Sequence, residues 1–180
     1  MKACIPIVSF FLALAACHTA GGQVRSVGTW HSFKGLGVTI QTGARNPKEA
    51  NTFTLYAELG DAFAGHLVAP GCKFVFSRDI TLHDFDMADG EAVSLFVGAG
   101  ASAGYVKDYG RDGYGAMAAL NGSFGASAAF LEKHVHISAG ITLEAGPWLQ
   151  KRENSYDISL YRNGIYQGYY PYISISYLFK

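Results

Sequence analysis

Apolar and polar residues alternate along most of the chain, and the alternation is clearest in the last ten residues. Apolar side chains occupy Ile173, Ile175, Tyr177 and Phe179, and the positions between them are Tyr172, Ser174, Ser176 and Leu178. Successive side chains of a strand point to opposite faces. The segment 171–180 is therefore predicted to be a strand with one apolar and one mainly polar face.

The same two-residue period recurs upstream, between segments rich in Gly, Asn and Asp, and no convincing stretch has the period of a helix. The alternation predicts eight strands, at 34–42, 52–60, 63–69, 72–82, 92–105, 114–128, 134–147 and 171–180. An even number of strands lets a barrel close with both chain ends on one side. A long Tyr-rich loop, 149–169, is expected before the last strand.

The polar face of these strands consists largely of Gly, Ser and Thr, whose small side chains fit the narrow interior of an eight-stranded barrel. Strands of about ten residues match a tilted span of a bilayer. With the apolar face outward, the sequence predicts an all-β fold, an eight-stranded antiparallel up-and-down transmembrane β-barrel. Charged residues make up only 16% of the 180 residues, which suits a chain with much surface away from water.

The first 22 residues are typical of an export signal. Lys2 precedes an uncharged apolar run, Ile5 to Ala16, and small residues 20–22 offer a cleavage site. We therefore predict a signal peptide at 1–22, an N-terminal extension at 23–31 and the barrel at 32–180. Leu14-Ala15-Ala16-Cys17 also resembles the lipobox of bacterial lipoproteins, and in that alternative Cys17 is lipidated.

If the last strand ends in the periplasm, the predicted connections near 60–63, 83–91 and 131–133 are periplasmic. Those near 43–51, 69–71, 106–113 and 149–169 are then extracellular. The same orientation predicts an outer aromatic girdle of Tyr105, Trp148 and Tyr169. An inner girdle would consist of Phe130, Tyr177 and Phe179.

In its strand pattern, export signal and C-terminal strand the chain resembles the small eight-stranded outer-membrane β-barrel proteins of Gram-negative bacteria. In detail it is similar to the "outer membrane protein beta-barrel" families of gut-type bacteria, with Leu160-Tyr161-Arg162-Asn163-Gly164-Ile165-Tyr166 before the last strand. The resemblance covers about 32–180 and implies that the assembly machinery reads Tyr177 and Phe179. Here Lys180 follows Phe179, a departure from a terminal Phe.

Five ionisable residues fall on the predicted inner face: Glu58, Lys73, Asp79, His136 and Glu144. Charges buried in a narrow interior must pair or accept hydrogen bonds. We therefore predict a polar network that plugs the barrel. A gated pore is the functional alternative for the same residues.

His136-Ile137-Ser138 resembles the His-x-Ser motif of outer-membrane lipid A deacylases, which are also eight-stranded barrels. Residues two apart share a strand face, so His136 could deprotonate Ser138. A carboxylate must orient the histidine. Glu144 lies about 26 Å along the strand, which leaves Glu58 from another strand. His134 and His136 lack a third ligand, so neither a metal nor another cofactor is predicted.

The loop 149–170 combines aromatic and basic side chains that are typical of contact surfaces: Arg152, Tyr156, Tyr161, Arg162 and Tyr166. The alternative is an interfacial belt that packs on the rim. A net charge of zero gives no basis for nucleic-acid binding.

The main hypothesis is a non-enzymatic barrel of the bacterial outer membrane, with a role in envelope structure or surface interaction. Its expected partners are outer-membrane lipid, the barrel assembly machinery and an envelope or extracellular protein. One alternative is a lipid A-modifying acyl hydrolase that uses His136 and Ser138. A second alternative is an outer-membrane subunit of a conjugation or transport apparatus.

Overall fold

A computed structural model describes residues 23–32, 34–44, 46, 48–59, 71–87, 92–108, 113–131, 134–161 and 170–179. These residues form ten β-strands: β1 Val24–Ser32, β2 Gly35–Gly43, β3 Glu49–Glu58, β4 Gly71–Asp86, β5 Ala92–Lys107, β6 Tyr114–Phe130, β7 Val135–Ala145, β8 Pro147–Lys151, β9 Tyr156–Leu160 and β10 Tyr170–Leu178. Within the described part of the chain, no helix is long and apolar enough to cross a membrane.

Eight of the strands form a closed antiparallel barrel, which confirms the predicted fold class at that level. Strands β1 to β6 each pair with the next along the chain, and β10 pairs with both β7 and β1. The closing pair runs in register from Ser26 opposite Leu178 to Ser32 opposite Tyr172. Beyond it, the Phe179 amide donates a hydrogen bond to the Arg25 carbonyl at 2.7 Å.

The first strand of the barrel is one that the sequence did not predict. Residues 23–31 were expected to be an extension, but Val24–Ser32 pairs with β2 and β10. Its outward positions include Thr29 and His31, and an aromatic residue, Trp30, points inward, so its alternation does not separate apolar from polar residues. The predicted strand at 63–69 lies outside the described residues.

The structure also changes the end of the barrel at which one early connection lies. Val24 pairs with Thr42, so the β2–β3 connection at 44–48 lies at the same end of the barrel as both termini. The sequence placed 43–51 at the opposite end. The connections after β4 and β6 lie at the end with the termini, as predicted. Counted back from the last strand, the strand predicted at 63–69 reversed the end assigned to 43–51, whereas β3 and β4 pair directly with Glu58 opposite Gly71.

The predicted loop 149–169 contains a β-hairpin. Strand β8 continues the line of β7 along β6, where Leu149 pairs with Ala116, and β9 pairs with β8. The Arg152 amide donates to the Ser155 carbonyl at 2.9 Å and closes the turn. The hairpin therefore extends the barrel wall at the rim opposite the termini.

The two faces of the barrel wall are divided as the alternation predicted. On β6, Leu120 is 74% exposed on the outside, whereas its neighbour Asn121 is 7% exposed and faces inward. The buried polar set is larger than the buried apolar one and includes Thr39, Thr54, Ser77, Ser102, Ser127, Ser138, Ser174 and Ser176. The interior is thus polar along most of its length and the exterior is largely apolar.

Close approach of the strands makes glycine necessary on the inner face. A Cβ at Gly100 would overlap the carbonyl oxygen of Phe76, which also accepts a hydrogen bond from Asn121 Nδ2 at 3.0 Å. At Gly122, by contrast, the nearest atom to an added Cβ is the Gly98 carbonyl oxygen, 3.9 Å away.

We predict that Gly100→Ala lowers the free energy of unfolding by about 1–3 kcal/mol, because the backbone must move to admit the methyl group. Gly122→Ala serves as the matched control and should have little effect. Urea titration of the folded protein in detergent micelles measures both. Equal midpoints for the two variants would contradict the tight contact at Gly100.

Candidate functional site

An apolar cluster is buried in the interior near the rim opposite the termini. It consists of Val106, Met117, Ala119, Trp148 and Tyr161. Trp148 is 0% exposed, and its indole N–H donates to the Val106 carbonyl at 3.3 Å. We call this set the plug. Its side chains are buried against one another inside the wall formed by β5, β6 and β8.

Two members of the plug were predicted to lie outside the interior. Trp148 was expected in the outer girdle and Tyr161 on the surface, but Tyr161 is only 1% exposed. Continuing the period of β7 past Gly146 would have placed Trp148 on the inner face with Glu144. Likewise, the outward positions of β9 are Tyr156, Ile158 and Leu160, so the next residue, Tyr161, points inward. The alternation of these segments therefore places both residues on the inner face, although neither lies in a predicted strand.

Next to the plug lies a buried ion pair. Lys73 Nζ is 2.5 Å from Glu144 Oε2, and the two side chains are 9% and 1% exposed. The Lys73 ammonium also lies 5.0 Å from the centroid of the Tyr56 ring, within the range of a cation–π contact. The structure therefore joins two of the five predicted interior residues across the barrel.

Lys34, Glu58 and Asp108 lie at the same end of the barrel as this ion pair. Lys34, in the β1–β2 turn, has Glu58 and Asp108 as electrostatic neighbours. Loss of hydration on burial lowers the pKa of Lys34 to about 8, and the attraction of Glu58 opposes this shift. Lys34 and Asp108 were not predicted as interior residues. Asp108 lies in a connection, and the strand predicted at 34–42 places Lys34 on the same face as Leu36, although it lies in the β1–β2 turn.

Asp79 forms a separate group lower in the cavity. Its carboxylate accepts hydrogen bonds from Ser77 Oγ at 2.6 Å and Thr52 Oγ1 at 2.5 Å. Lys34 also has Lys73 and Glu144 as electrostatic neighbours, so the charged groups at the rim lie together, whereas Asp79 is bound by hydroxyl groups.

Three of the aromatic rings that line the cavity contact one another. Trp30 stacks on Tyr172 with ring centroids 5.2 Å apart, and it meets Tyr56 edge to face at 5.0 Å. The cavity has a volume of about 300 Å³, and its remaining lining is dominated by Ser and Thr. Trp30 was missed in the sequence because its strand was missed.

The predicted catalytic residues are not assembled into a triad. His136 and Ser138 both line the cavity, but no hydrogen bond joins their side chains in the described structure. His136 is the second residue of β7, near the termini, whereas Glu58 ends β3 at the opposite rim. The two lie on the order of 20 Å apart along the barrel. Among the described residues, no group of three His, Cys, Asp or Glu side chains is arranged to hold a metal ion.

The predicted surface residues have mixed outcomes. Arg152 is exposed and pairs with Asp157 at 3.3 Å, and Tyr156 is also exposed. Tyr177 and Phe179 lie on the outer face with ring centroids 5.6 Å apart. Arg162, Tyr166 and Cys17 lie outside the described residues.

No protein-family model matches this chain, and no curated protein or solved structure is significantly similar to it. The relation to small outer-membrane barrels therefore stays a prediction. It depends on the residue pattern together with the eight-stranded closed barrel.

Proposed function

We propose that this protein is a β-barrel of the bacterial outer membrane, closed to solutes by its interior side chains, with a non-enzymatic role in envelope structure or surface interaction. The observation that carries the proposal is the inverted distribution of residues. Apolar side chains cover the outside of the barrel, and polar ones fill most of its inside.

The outer apolar surface is continuous from strand to strand. Phe124 of β6 pairs with Ile141 of β7, and Ile137 of β7 pairs with Ile175 of β10. Phe124, Ile141 and Ile175 are all exposed. A contiguous apolar patch of this kind is unfavourable in water and suits contact with lipid chains.

The interior favours a closed barrel over a channel. The plug and the Lys73–Glu144 ion pair occupy the end of the barrel where a channel would have to open. A ring of water-facing charges, which would line a conducting pore, is replaced here by side chains that contact one another. The exposed β8–β9 hairpin, with Arg152 and Tyr156, favours a surface-interaction role.

The geometry does not favour the acyl hydrolase alternative, since Glu58 is too far from His136 to orient it. A subunit of a conjugation or transport apparatus stays an alternative within the membrane proposal. Co-purification of the intact chain from envelope membranes would test it.

A charge substitution on the outer face separates a membrane barrel from a barrel in water. Phe124 lies near the middle of β6 and is 52% exposed. In a bilayer, Phe124→Arg should lower the free energy of unfolding by about 2–4 kcal/mol. In water, the same change at an exposed site should cost less than about 0.5 kcal/mol.

The measurement is urea unfolding after folding into lipid vesicles, followed by the loss of the heat-dependent gel shift of a folded barrel. Ser155→Arg, in the exposed hairpin turn, is the matched control and should have little effect. Expression of the full chain in a Gram-negative host and separation of its membranes gives the location directly. A protein that remains with the soluble periplasm, without a gel shift, would overturn the proposal.

A further inference from the structure

Strand β4 continues past the start of β3 at the end of the barrel that carries the termini. Its pairing with β3 ends at Ile80, and the Thr81 amide donates a hydrogen bond to the Lys48 carbonyl at 2.8 Å. Among the described residues, no strand pairs with 82–86 on the side away from β5. We call this side of residues 82–86 the open edge.

Pairing with β5 keeps the backbone of this stretch extended. Phe85 lies opposite Val93, and Asp86 lies opposite Ala92. The amide and carbonyl groups of alternate residues in a strand point to opposite edges, so the open edge presents backbone donors and acceptors that no described strand uses. Residues 82–86 are all exposed. An exposed edge of this kind is a template for the addition of another strand.

The side chains beside the open edge are divided between an acidic and an aromatic face. Asp84 accepts a hydrogen bond at 2.5 Å from Ser94 Oγ, which belongs to the inner face, and Asp86 is two residues further along the same face. On the outer face, the His83 and Phe85 rings meet edge to face with centroids 4.6 Å apart. A strand added here therefore pairs best with basic residues on one face and apolar residues on the other.

A second copy of the chain does not fit the open edge. Two copies in one membrane are related by an axis along the membrane normal, so β4 runs toward the same side of the membrane in both. Their open edges then cannot meet as antiparallel strands. Pairing of the two edges would also bring Asp84 and Asp86 of both copies together, and like charges on neighbouring strands are destabilising. A segment of another protein has neither restriction.

We propose that the open edge binds an extended segment of a periplasmic protein, in which basic and apolar residues alternate, and that this segment adds to the sheet as a strand beside β4. The inference rests on the proposed membrane location, with the end that carries the termini in the periplasm. Backbone hydrogen bonds to 82–86 hold the segment, and Asp84 and Asp86 select its basic residues.

The test uses the full chain folded in neutral detergent and a short fluorescent peptide that alternates lysine and valine. This peptide should bind and should protect the amides of 82–86 from hydrogen exchange. A peptide that alternates glutamate and valine should not bind, and neither should the lysine peptide with every backbone amide methylated. Equal binding of the methylated peptide would overturn strand addition. Equal binding of the glutamate peptide would overturn the selection of basic residues.

A charge reversal tests the location of the site. The Asp84→Lys/Asp86→Lys double variant should bind the lysine peptide about tenfold more weakly, because its charge pairs across the two strands change from attraction to repulsion. Glu153→Lys is the matched control, since Glu153 is also an exposed acidic residue but lies in the β8–β9 turn at the opposite rim. It should bind the peptide as the unaltered chain does. An equal loss in both variants would overturn the open edge as the site.

The outcomes also separate this site from the membrane proposal. If the unaltered chain does not fold into detergent with a heat-dependent gel shift, the membrane location fails. If it folds and the lysine peptide leaves the amides of 82–86 unprotected, the open edge alone fails as a binding site.

Discussion

Lys73→Met is expected to lower the free energy of unfolding by about 3–5 kcal/mol, because it leaves the Glu144 carboxylate buried without its ion-pair partner. Glu144 is 1% exposed, and its second oxygen, Oε1, has no hydrogen-bond partner in the described structure. The carboxylate would have to take up a proton or draw water into the interior. Urea unfolding in micelles, followed by gel mobility, measures the change.

The double variant Lys73→Met/Glu144→Leu tests whether the loss comes from the unpaired charge. It should be more stable than Lys73→Met alone, since apolar residues of similar size can replace a buried ion pair. Glu49→Gln, which breaks the more exposed Arg78–Glu49 pair, is the control and should leave the midpoint nearly unchanged. A single variant as stable as this control would show that Lys73 and Glu144 do not depend on each other.

Trp148→Ala is expected to cost about 3–5 kcal/mol, as removal of a fully buried tryptophan leaves a cavity. It should also open the end of the barrel, because Trp148 is the largest side chain of the plug, which also contains Val106, Met117 and Tyr161. Unfolding in micelles measures the first effect. Ion conductance of the protein in a planar bilayer measures the second, which should rise from the level of the unaltered barrel.

Leu120→Ala is the matched control for Trp148→Ala. It also removes a large apolar side chain, but from the outer face, where Leu120 is 74% exposed. It should change stability little and conductance not at all. A Trp148→Ala protein that is destabilised without any gain in conductance would place the seal at the Lys73–Glu144 pair instead.

The structure has the predicted faces on β6, β7 and β10, whereas Ile40 of β2, predicted on the outward face, is 6% exposed. The alternation at 134–147 placed His136, Ser138 and Glu144 inward, and all three line the cavity. The errors lie at strand ends and in turns. Trp148 follows the period of β7, but the predicted strand 134–147 ended one residue before it. Tyr161 follows the period of β9, which lies within the predicted loop 149–169. Val24–Ser32 carries polar residues on its outer face, so alternation alone could not mark it.

The order of residues alone sets the strand period and, through it, which side chains share a face, because the geometry of an extended chain is local. Tertiary structure alone decided which inward residues meet. Lys73 and Glu144 are 71 residues apart and lie on β4 and β7, which do not pair. Their contact depends on how the closed sheet brings distant strands to face each other across the interior, and no local pattern encodes that distance. The same closure brought Trp30 onto Tyr172 and gathered Val106, Trp148 and Tyr161 into the plug.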